Sequence, residues 1–238
     1  MDKIGKTWCQ LLVALLMACA LEAVASAQTE TKAAPKPLPP EVVKAWRDAG
    51  FDVGWMRDVP PPQSPAWGFW RPWREKGETG AIPAFGQPER NAGGVLEKLP
   101  DPATPFGLDF HCGWEAGVTL KELAKLRNLQ SLNIGAVRSP DRRQAYADFK
   151  ELAELKNLRA LYLFYMPVTD ADLKHIAGLR ELQVLDLSAT RVTDTGLKEL
   201  APLKNLRWLN LSTPGVTTDG ITALQKELPK CKIVTYDD

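Results

Sequence analysis

The sequence contains few of the residues on which catalytic and metal sites depend. Its 238 residues include two histidines, His111 and His175, and four cysteines, of which only Cys112 and Cys231 lie beyond residue 27. It has no Gly-x-Gly-x-x-Gly, no phosphate-binding loop, no Gly-x-Ser-x-Gly and no paired-cysteine metal spacing. His111 and Cys112 are adjacent, but neighbours along an extended segment point to opposite faces. We therefore expect no enzyme activity, no catalytic residue, no metal site and no cofactor.

The sequence also lacks an excess of charge of either sign. Lys and Arg number 30 against 29 Asp and Glu, so no global field attracts nucleic acid. Lys156-Asn-Leu-Arg159 and Lys204-Asn-Leu-Arg207 share one pattern, and we interpret their cations as a solvated rim and not as a nucleic-acid stripe. No nucleic-acid partner is expected.

A long hydrophobic run is missing as well. The apolar stretch Leu11–Leu21 is shorter than the about 20 residues that span a membrane. It follows two lysines and precedes Ala25-Ser-Ala27, which is the pattern of a secretory signal peptide. Residues 1–27 are therefore predicted to direct export to the periplasm or the cell exterior, with no transmembrane span after cleavage. The alternative is a lipoprotein anchored at Cys19, because Leu-Met-Ala-Cys resembles a lipobox.

Proline and tryptophan are abundant but are concentrated outside the second half of the chain. Residues 28–40 are polar and Pro-rich, and we expect a disordered linker there. Residues 41–105 are predicted to form a helix over Glu41–Gly50 followed by a Trp/Pro-rich capping region. Its run Trp67-Gly-Phe-Trp-Arg-Pro-Trp73 either covers one end of the hydrophobic core or forms a stacking platform for sugar rings.

The second half of the chain repeats one pattern every 24 residues. Leu173–Leu187 is followed in register by Leu197–Leu211, and the same spacing extends back to Phe149–Leu163. In each unit the apolar residues first recur at three to four residues and then alternate, as in a helix followed by a strand with one buried face. One unit cannot close a core, so the units are expected to stack.

The stretch Leu182-x-x-Leu185-x-Leu187-x-x-Thr190-x-Val192 resembles the leucine-rich repeat pattern. The resemblance covers residues 106–238. It implies an α/β solenoid with a curved parallel sheet inside and helices outside, and the Trp/Pro-rich region would cap this solenoid. The resemblance also implies a function in protein–protein interaction. Val192-Thr-Asp-x-Gly-Leu197 is similar to short arrays in exported bacterial, planctomycete-like proteins. The family's asparagine position is polar only at Thr190, so we expect the usual asparagine ladder to be largely absent.

Six parallel strands are predicted, one in each unit, with Leu161, Leu185 and Leu209 stacked upon one another. Cys112 and Cys231 fall in the terminal units, which five strand intervals of about 4.8 Å separate by roughly 24 Å. A disulfide tolerates Cα separations up to about 7 Å, so both thiols are expected to stay unpaired within one molecule. The predicted strands begin at Leu108, Leu132, Leu161, Leu185, Leu209 and Ile233.

The strand side chains that face away from the core form the candidate binding surface. The predicted partner-binding residues are Tyr162, Phe164, Asp186, Trp208 and Asn210, because exposed aromatics around a polar centre suit a protein partner. The alternative is that N-terminal or linker residues of the same chain cover these rings. The sequence thus predicts an exported, non-enzymatic protein that binds an unidentified protein. A carbohydrate- or envelope-binding protein that uses the Trp-rich region is the alternative function, and no oligomeric state is indicated.

Overall fold

The computed structural model describes residues 36–57, 81–86, 94–110, 119–135 and 149–235. The predicted signal peptide with Cys19, most of the predicted linker, and the run Trp67–Trp73 lie outside these described residues. His111 and Cys112 lie outside them too.

Eight strands form one sheet in chain order, from β1 to β8. β1 and β2 are antiparallel, and every later neighbour pair from β2 to β8 is parallel. The strands are β1 (Val53–Arg57), β2 (Ala81–Gly86), β3 (Phe106–Asp109), β4 (Leu129–Asn133), β5 (Ala160–Tyr162), β6 (Val184–Asp186), β7 (Trp208–Asn210) and β8 (Lys232–Val234).

Helical segments lie between consecutive parallel strands from β3 onward. The α-helices are α1 (Pro40–Asp48), α2 (Leu120–Leu123), α3 (Asp170–Ile176), α4 (Asp194–Leu197) and α5 (Thr218–Glu227). Short 3₁₀ segments cover Leu96–Lys98, Phe149–Glu154 and Lys198–Leu200. The first of these falls within the Gly94–Pro100 stretch that precedes the repeats.

The predicted register is confirmed at the centre of the sheet. Leu161 pairs with Leu185, and Leu185 pairs with Leu209. These leucines are fully buried in one hydrophobic core together with helix residues such as Leu173 and Leu200. Because successive strand residues alternate between faces, the helices cover this core face of the sheet, and the strand residues between the leucines point to the other face.

The sheet has two strands more than the six predicted for the ladder. Residues 53–57 and 81–86, which lie in the predicted capping region, extend the same sheet as β1 and β2. Pro83 lacks a backbone N–H, so its presence in the sequence favours a turn over a strand at this position. β2 pairs with β3 only from Ala84 onward, so the missing donor at Pro83 falls outside the parallel ladder.

An aromatic cluster closes the core beside β2. The Trp46 ring of α1 stacks on Phe85 with centroids 3.9 Å apart and meets Phe51 and Phe106 edge-on. The indole N–H of Trp46 donates to the carbonyl of Pro100 at 3.1 Å. α1 therefore covers apolar strand residues that have no preceding repeat to pack against among the described residues.

Hydrogen bonds from threonine to aspartate, here called the clasp, join neighbouring repeats where strands turn into helices. The Asp170 carboxylate accepts hydrogen bonds from the backbone N–H and the hydroxyl of Thr193, at 2.8 and 2.6 Å. Asp194 accepts the same pair from Thr217, at 2.9 and 2.6 Å. Thr193 and Thr217 are the N-cap residues of α4 and α5. Each aspartate thus anchors the start of the next repeat's helix.

Asparagine side chains join the repeats at the opposite edge, where helices turn into strands. Asn128, Asn157 and Asn205 donate to the carbonyl oxygens of Pro102, Arg127 and Arg180, at 2.9, 2.8 and 2.9 Å. A repeat is therefore joined to its predecessor by side chains at both ends of its strand.

Candidate functional site: the inner face of the sheet

The face of the sheet opposite the helices, here called the inner face, carries a polar row along its centre. Backbone pairing places one residue of each strand from β3 to β7 side by side in this row. The row consists of Asp109, Asn133, Tyr162, Asp186 and Asn210. All five side chains are buried, and three of them are predicted partner-binding residues.

Asp186 is held by hydrogen bonds within the row and from the strand end. One carboxylate oxygen accepts from the backbone N–H and the hydroxyl of Ser188, at 2.8 and 2.6 Å. The other accepts from the side-chain amide of Asn210 at 3.3 Å. Burial raises the pKa of Asp186 above its ordinary value, although these hydrogen bonds oppose the shift. Asp186 is thus a covered carboxylate that faces away from the helices.

Apolar side chains flank the polar row. Ala160, Tyr162, Phe164, Val184 and Trp208 form a cluster on the inner face that is separate from the main core. The Phe164 ring lies against Gly135, since a Cβ atom added there would stand 2.5 to 2.7 Å from three ring carbons. Glycine at 135 therefore leaves the space that this ring occupies.

Of the two alternatives for the inner-face aromatics, exposed or covered, exposure is wrong. Tyr162, Phe164 and Trp208 retain only 8%, 7% and 4% of their accessible surface. Their burial is favourable because covering apolar surface contributes about 25 cal/mol for each Å² removed from water. The five predicted residues do share one face, and in this structure that face is covered.

Tyr165 is a feature that the sequence analysis missed. It is 50% exposed and is the one large apolar side chain reported as exposed among the described residues. Its backbone has a φ of +60°, and Ala189, the equivalent residue of the next repeat, has a φ of +53°. A bulky residue rarely adopts this left-handed conformation. The turns after β5 and β6 set this conformation, and no sequence pattern marks the exposure of the Tyr165 ring.

The described residues show no arrangement for catalysis. No group of three or more His, Cys, Asp or Glu side chains among them could hold a metal ion. His175 is half-buried in α3. Cys231 is a buried free thiol whose pKa is raised to about 12 by burial. A thiol of this kind is a poor nucleophile at neutral pH.

No helix among the described residues has both the length and the hydropathy to cross a membrane. This finding leaves the predicted signal segment untested, because residues 1–27 lie outside the described part of the chain.

Comparison with solved structures finds similar repeat proteins. A leucine-rich repeat protein of Leptospira interrogans, LIC12759, is 27% identical over 59% of this chain and 32% of its own, with a TM-score of 0.36. An internalin of Listeria monocytogenes is 22% identical over 52% of this chain and 33% of its own, with a TM-score of 0.37. TLR13 in a complex with ssRNA13 is 17% identical over 58% of this chain and 22% of its own, with a TM-score of 0.35.

These alignments span about a third or less of the length of each structure, and their TM-scores are low. No family model matches the chain, and no curated protein is significantly similar to it in sequence. The assignment of fold therefore depends on the register, the core and the 24-residue repeat described above. The fold is an α/β leucine-rich repeat solenoid. Its inner face is the surface of the solenoid where Tyr162, Asp186 and Asn210 lie.

Proposed function

We propose that the protein is an exported, non-enzymatic leucine-rich repeat protein that binds a protein partner through the inner face of its strands. It would belong with the short Val-Thr-Asp-x-Gly-Leu arrays of exported bacterial proteins that its sequence resembles. The proposed contact residues are Tyr162, Phe164, Asp186, Trp208 and Asn210.

The observation that carries this proposal is the difference between the two faces of the repeats. Core positions repeat the same residue, as in Leu161, Leu185 and Leu209. The inner-face positions next to them change from Ala160 through Val184 to Trp208, or from Tyr162 to Asp186 and Asn210. A surface that only closes a repeating fold has no need to vary within one repeat, whereas recognition of a partner requires unlike groups at defined positions.

A partner has to replace the atoms that cover the inner face in this structure. Asp186 offers a carboxylate that hydrogen-bond donors of the partner can use, and the rings of Tyr162 and Trp208 offer apolar area. Such an exchange favours a partner with cationic or amide groups beside an apolar side chain. Association would be slower than for a bare surface, because uncovering precedes or accompanies binding.

Burial also decides how the proposal is tested. Alanine at all three aromatic positions would cost about 3–5 kcal/mol per ring, which is enough to unfold the chain and to confuse loss of binding with loss of fold. A photo-cross-linking aromatic residue in place of Tyr162 or Trp208 preserves the shape more closely. The same residue in place of Lys174, which is exposed on α3, serves as the matched control.

The experiment is cross-linking in the producing cell, followed by identification of the partner and measurement of its affinity. We expect the cross-linker at each inner-face position to form an adduct with the same protein. The cross-linker at position 174 should form no adduct with that protein. With the partner in hand, Asp186→Asn should weaken binding by about tenfold, as loss of a charge-assisted hydrogen bond does. Equal cross-linking from all three positions, or none from the inner face, would refute the proposed surface.

Export is tested separately. Mass spectrometry of the protein from the envelope fraction should find Gln28 at the N-terminus if residues 1–27 are a cleaved signal peptide. Retention of a lipid-modified Cys19, lost in Cys19→Ser, would identify the lipoprotein alternative. An intact Met1 in a cytoplasmic fraction would contradict export altogether.

A further inference from the structure

The edge of the solenoid where helices turn into strands, here called the basic edge, carries an excess of positive charge. Its described turns are residues 99–105, 124–130, 153–159, 177–183, 201–207 and 228–232, and they contain nine Lys and Arg against two Glu and one Asp. All but one of the nine cationic residues are exposed, and the exception, Arg159, is half-buried. The whole chain has a net charge of only +1, so this charge is a local property of the edge.

Among the described residues, the opposite edge, where strands turn into helices, is acidic. Its turns after β5, β6 and β7, residues 164–172, 188–196 and 212–220, contain four Asp and a single cation, Arg191. In this part of the solenoid one edge is therefore basic and the other, here called the acidic edge, is acidic, with the strands between them. A molecule of this kind is oriented by a planar charged surface, because one edge is attracted while the other is repelled.

Some cations of the basic edge occupy equivalent positions of different repeats. Arg159 and Arg207 precede equivalent residues of β5 and β7, which lie two strand intervals apart. Two intervals of about 4.8 Å place the backbones of these residues roughly 10 Å apart. Lys125 and Lys204 form ion pairs with Glu97 and Glu227, and all four of these side chains are about half or more exposed. Exposed pairs contribute little and are screened by salt, so they neutralise this edge only in part.

We propose that the basic edge docks on a membrane surface that contains anionic lipids. Phosphate headgroups in a fluid bilayer are mobile and can rearrange beneath rigidly held cations. An anionic membrane therefore does not need phosphates at a fixed spacing that matches the spacing of the repeats. Single-stranded nucleic acids are usually bound with aromatic residues that stack on the bases. In the described part of the chain, the one large apolar side chain that is exposed, Tyr165, lies on the acidic edge. The surface thus suits electrostatic docking on headgroups within a Debye length.

The test is co-sedimentation of the full chain with vesicles of phosphatidylcholine, with and without phosphatidylglycerol. Vesicles without phosphatidylglycerol are the control, because they measure binding through the apolar run at residues 11–21, which does not need anionic lipid. We expect added binding to the anionic vesicles that is lost when ionic strength rises from about 0.05 M to about 0.5 M. The variant K156E/R207E/K230E should reduce this added binding at least about tenfold.

The matched control is K174E/K198E/K226E, which makes the same change of charge at exposed positions of the helical side. It should keep most of the added binding, and circular dichroism should show both variants folded. Equal loss in the two variants, or no preference for anionic vesicles, would overturn the proposal. Tighter binding to a single-stranded or duplex oligonucleotide than to the anionic vesicles would overturn it in favour of a nucleic-acid surface.

Discussion

The clasp between Asp194 and Thr217 makes a sharp prediction about Gly220. Gly220 lies in the first turn of α5, and its backbone N–H donates to the Thr217 hydroxyl at 3.3 Å. A Cβ atom added at Gly220 would meet three atoms of the Asp194 side chain before any other atom, the farthest of them at 3.0 Å. Alanine at 220 therefore conflicts first with the carboxylate of the clasp.

Two opposing terms set the size of the effect. Replacement of glycine by alanine inside a helix stabilises by about 0.5–1 kcal/mol. Displacement of the Asp194 carboxylate loses two hydrogen bonds to Thr217 at an exposed site, which together contribute about 1 kcal/mol. Gly220→Ala should thus change the unfolding free energy little or lower it slightly. In an Asp194→Ala background the conflict is absent, and Gly220→Ala should raise it by about 0.5–1 kcal/mol.

The assay is a double-mutant cycle by urea denaturation of the parent, both single variants and the double variant. We expect a coupling energy of about 1 kcal/mol between positions 194 and 220. Additive effects, within the about 0.3–0.5 kcal/mol found for independent sites, would show that the Asp194 carboxylate does not occupy the space beside Gly220. The clasp would then not exist in solution.

The clasp also titrates. Hydrogen bonds from the Thr217 side chain and backbone lower the pKa of Asp194. A folded-state pKa below the unfolded value contributes stability that is present above the unfolded pKa of about 3.9 and is lost as pH falls through the lowered pKa. The coupling between positions 194 and 220 should therefore be constant near neutral pH and disappear in acid below that range.

Three further predictions concern the core and the inner face. Leu185→Ala should lower the unfolding free energy by about 2–5 kcal/mol in denaturant melts, because Leu185 is fully buried between Leu161 and Leu209; a loss below about 1 kcal/mol would contradict this register. Burial raises the pKa of Asp186, so its contribution to stability is present below the unfolded pKa and is lost as pH rises through the folded pKa. Asp186→Asn should remove this pH dependence and be at least as stable as the parent at pH 7. Thiol counting on the unfolded, non-reduced monomer should find both Cys112 and Cys231 free, whereas in the folded protein Cys231 should react slowly at pH 8, since burial raises its pKa to about 12.

The stacking of the repeats could be predicted from sequence because the core positions use one residue type at a fixed period. Leu161, Leu185 and Leu209 each fix which face of their strand is buried, and a slip of one residue would expose all three. β1 and β2 could not be predicted in this way. The sequence of β2, Ala-Ile-Pro-Ala-Phe-Gly, carries Pro83 and Gly86 and does not match the repeat pattern, although β2 pairs with β3 at a chain separation close to that of the repeats.

The candidate site shows a similar division. Alternation along the strands correctly placed Tyr162, Asp186 and Trp208 on one face, because side-chain direction is a local property. Whether they are exposed or covered could not be decided from sequence, because burial depends on what packs over a surface and the repeat pattern carries no such information. The Asp–Thr clasp was missed because its two partners are about one repeat apart in the sequence. The Val-Thr-Asp-x-Gly pattern identifies the threonine and the aspartate but does not show that the aspartate of one repeat contacts the threonine of the next.

The two edges of the solenoid use different side chains for joining repeats, and this bears on the basic edge. At the acidic edge the charged residues themselves form the clasps, as Asp170 and Asp194 do. At the basic edge the neutral amides of Asn157 and Asn205 make the contacts to the preceding repeat. Lys125, Arg180 and Lys204 also contact a neighbouring repeat there, through Glu97, the Pro202 carbonyl and Glu227. Part of the positive charge of this edge therefore stabilises the stack, and the exposed Arg127, Lys156 and Lys230 are the cations that an anionic partner best explains.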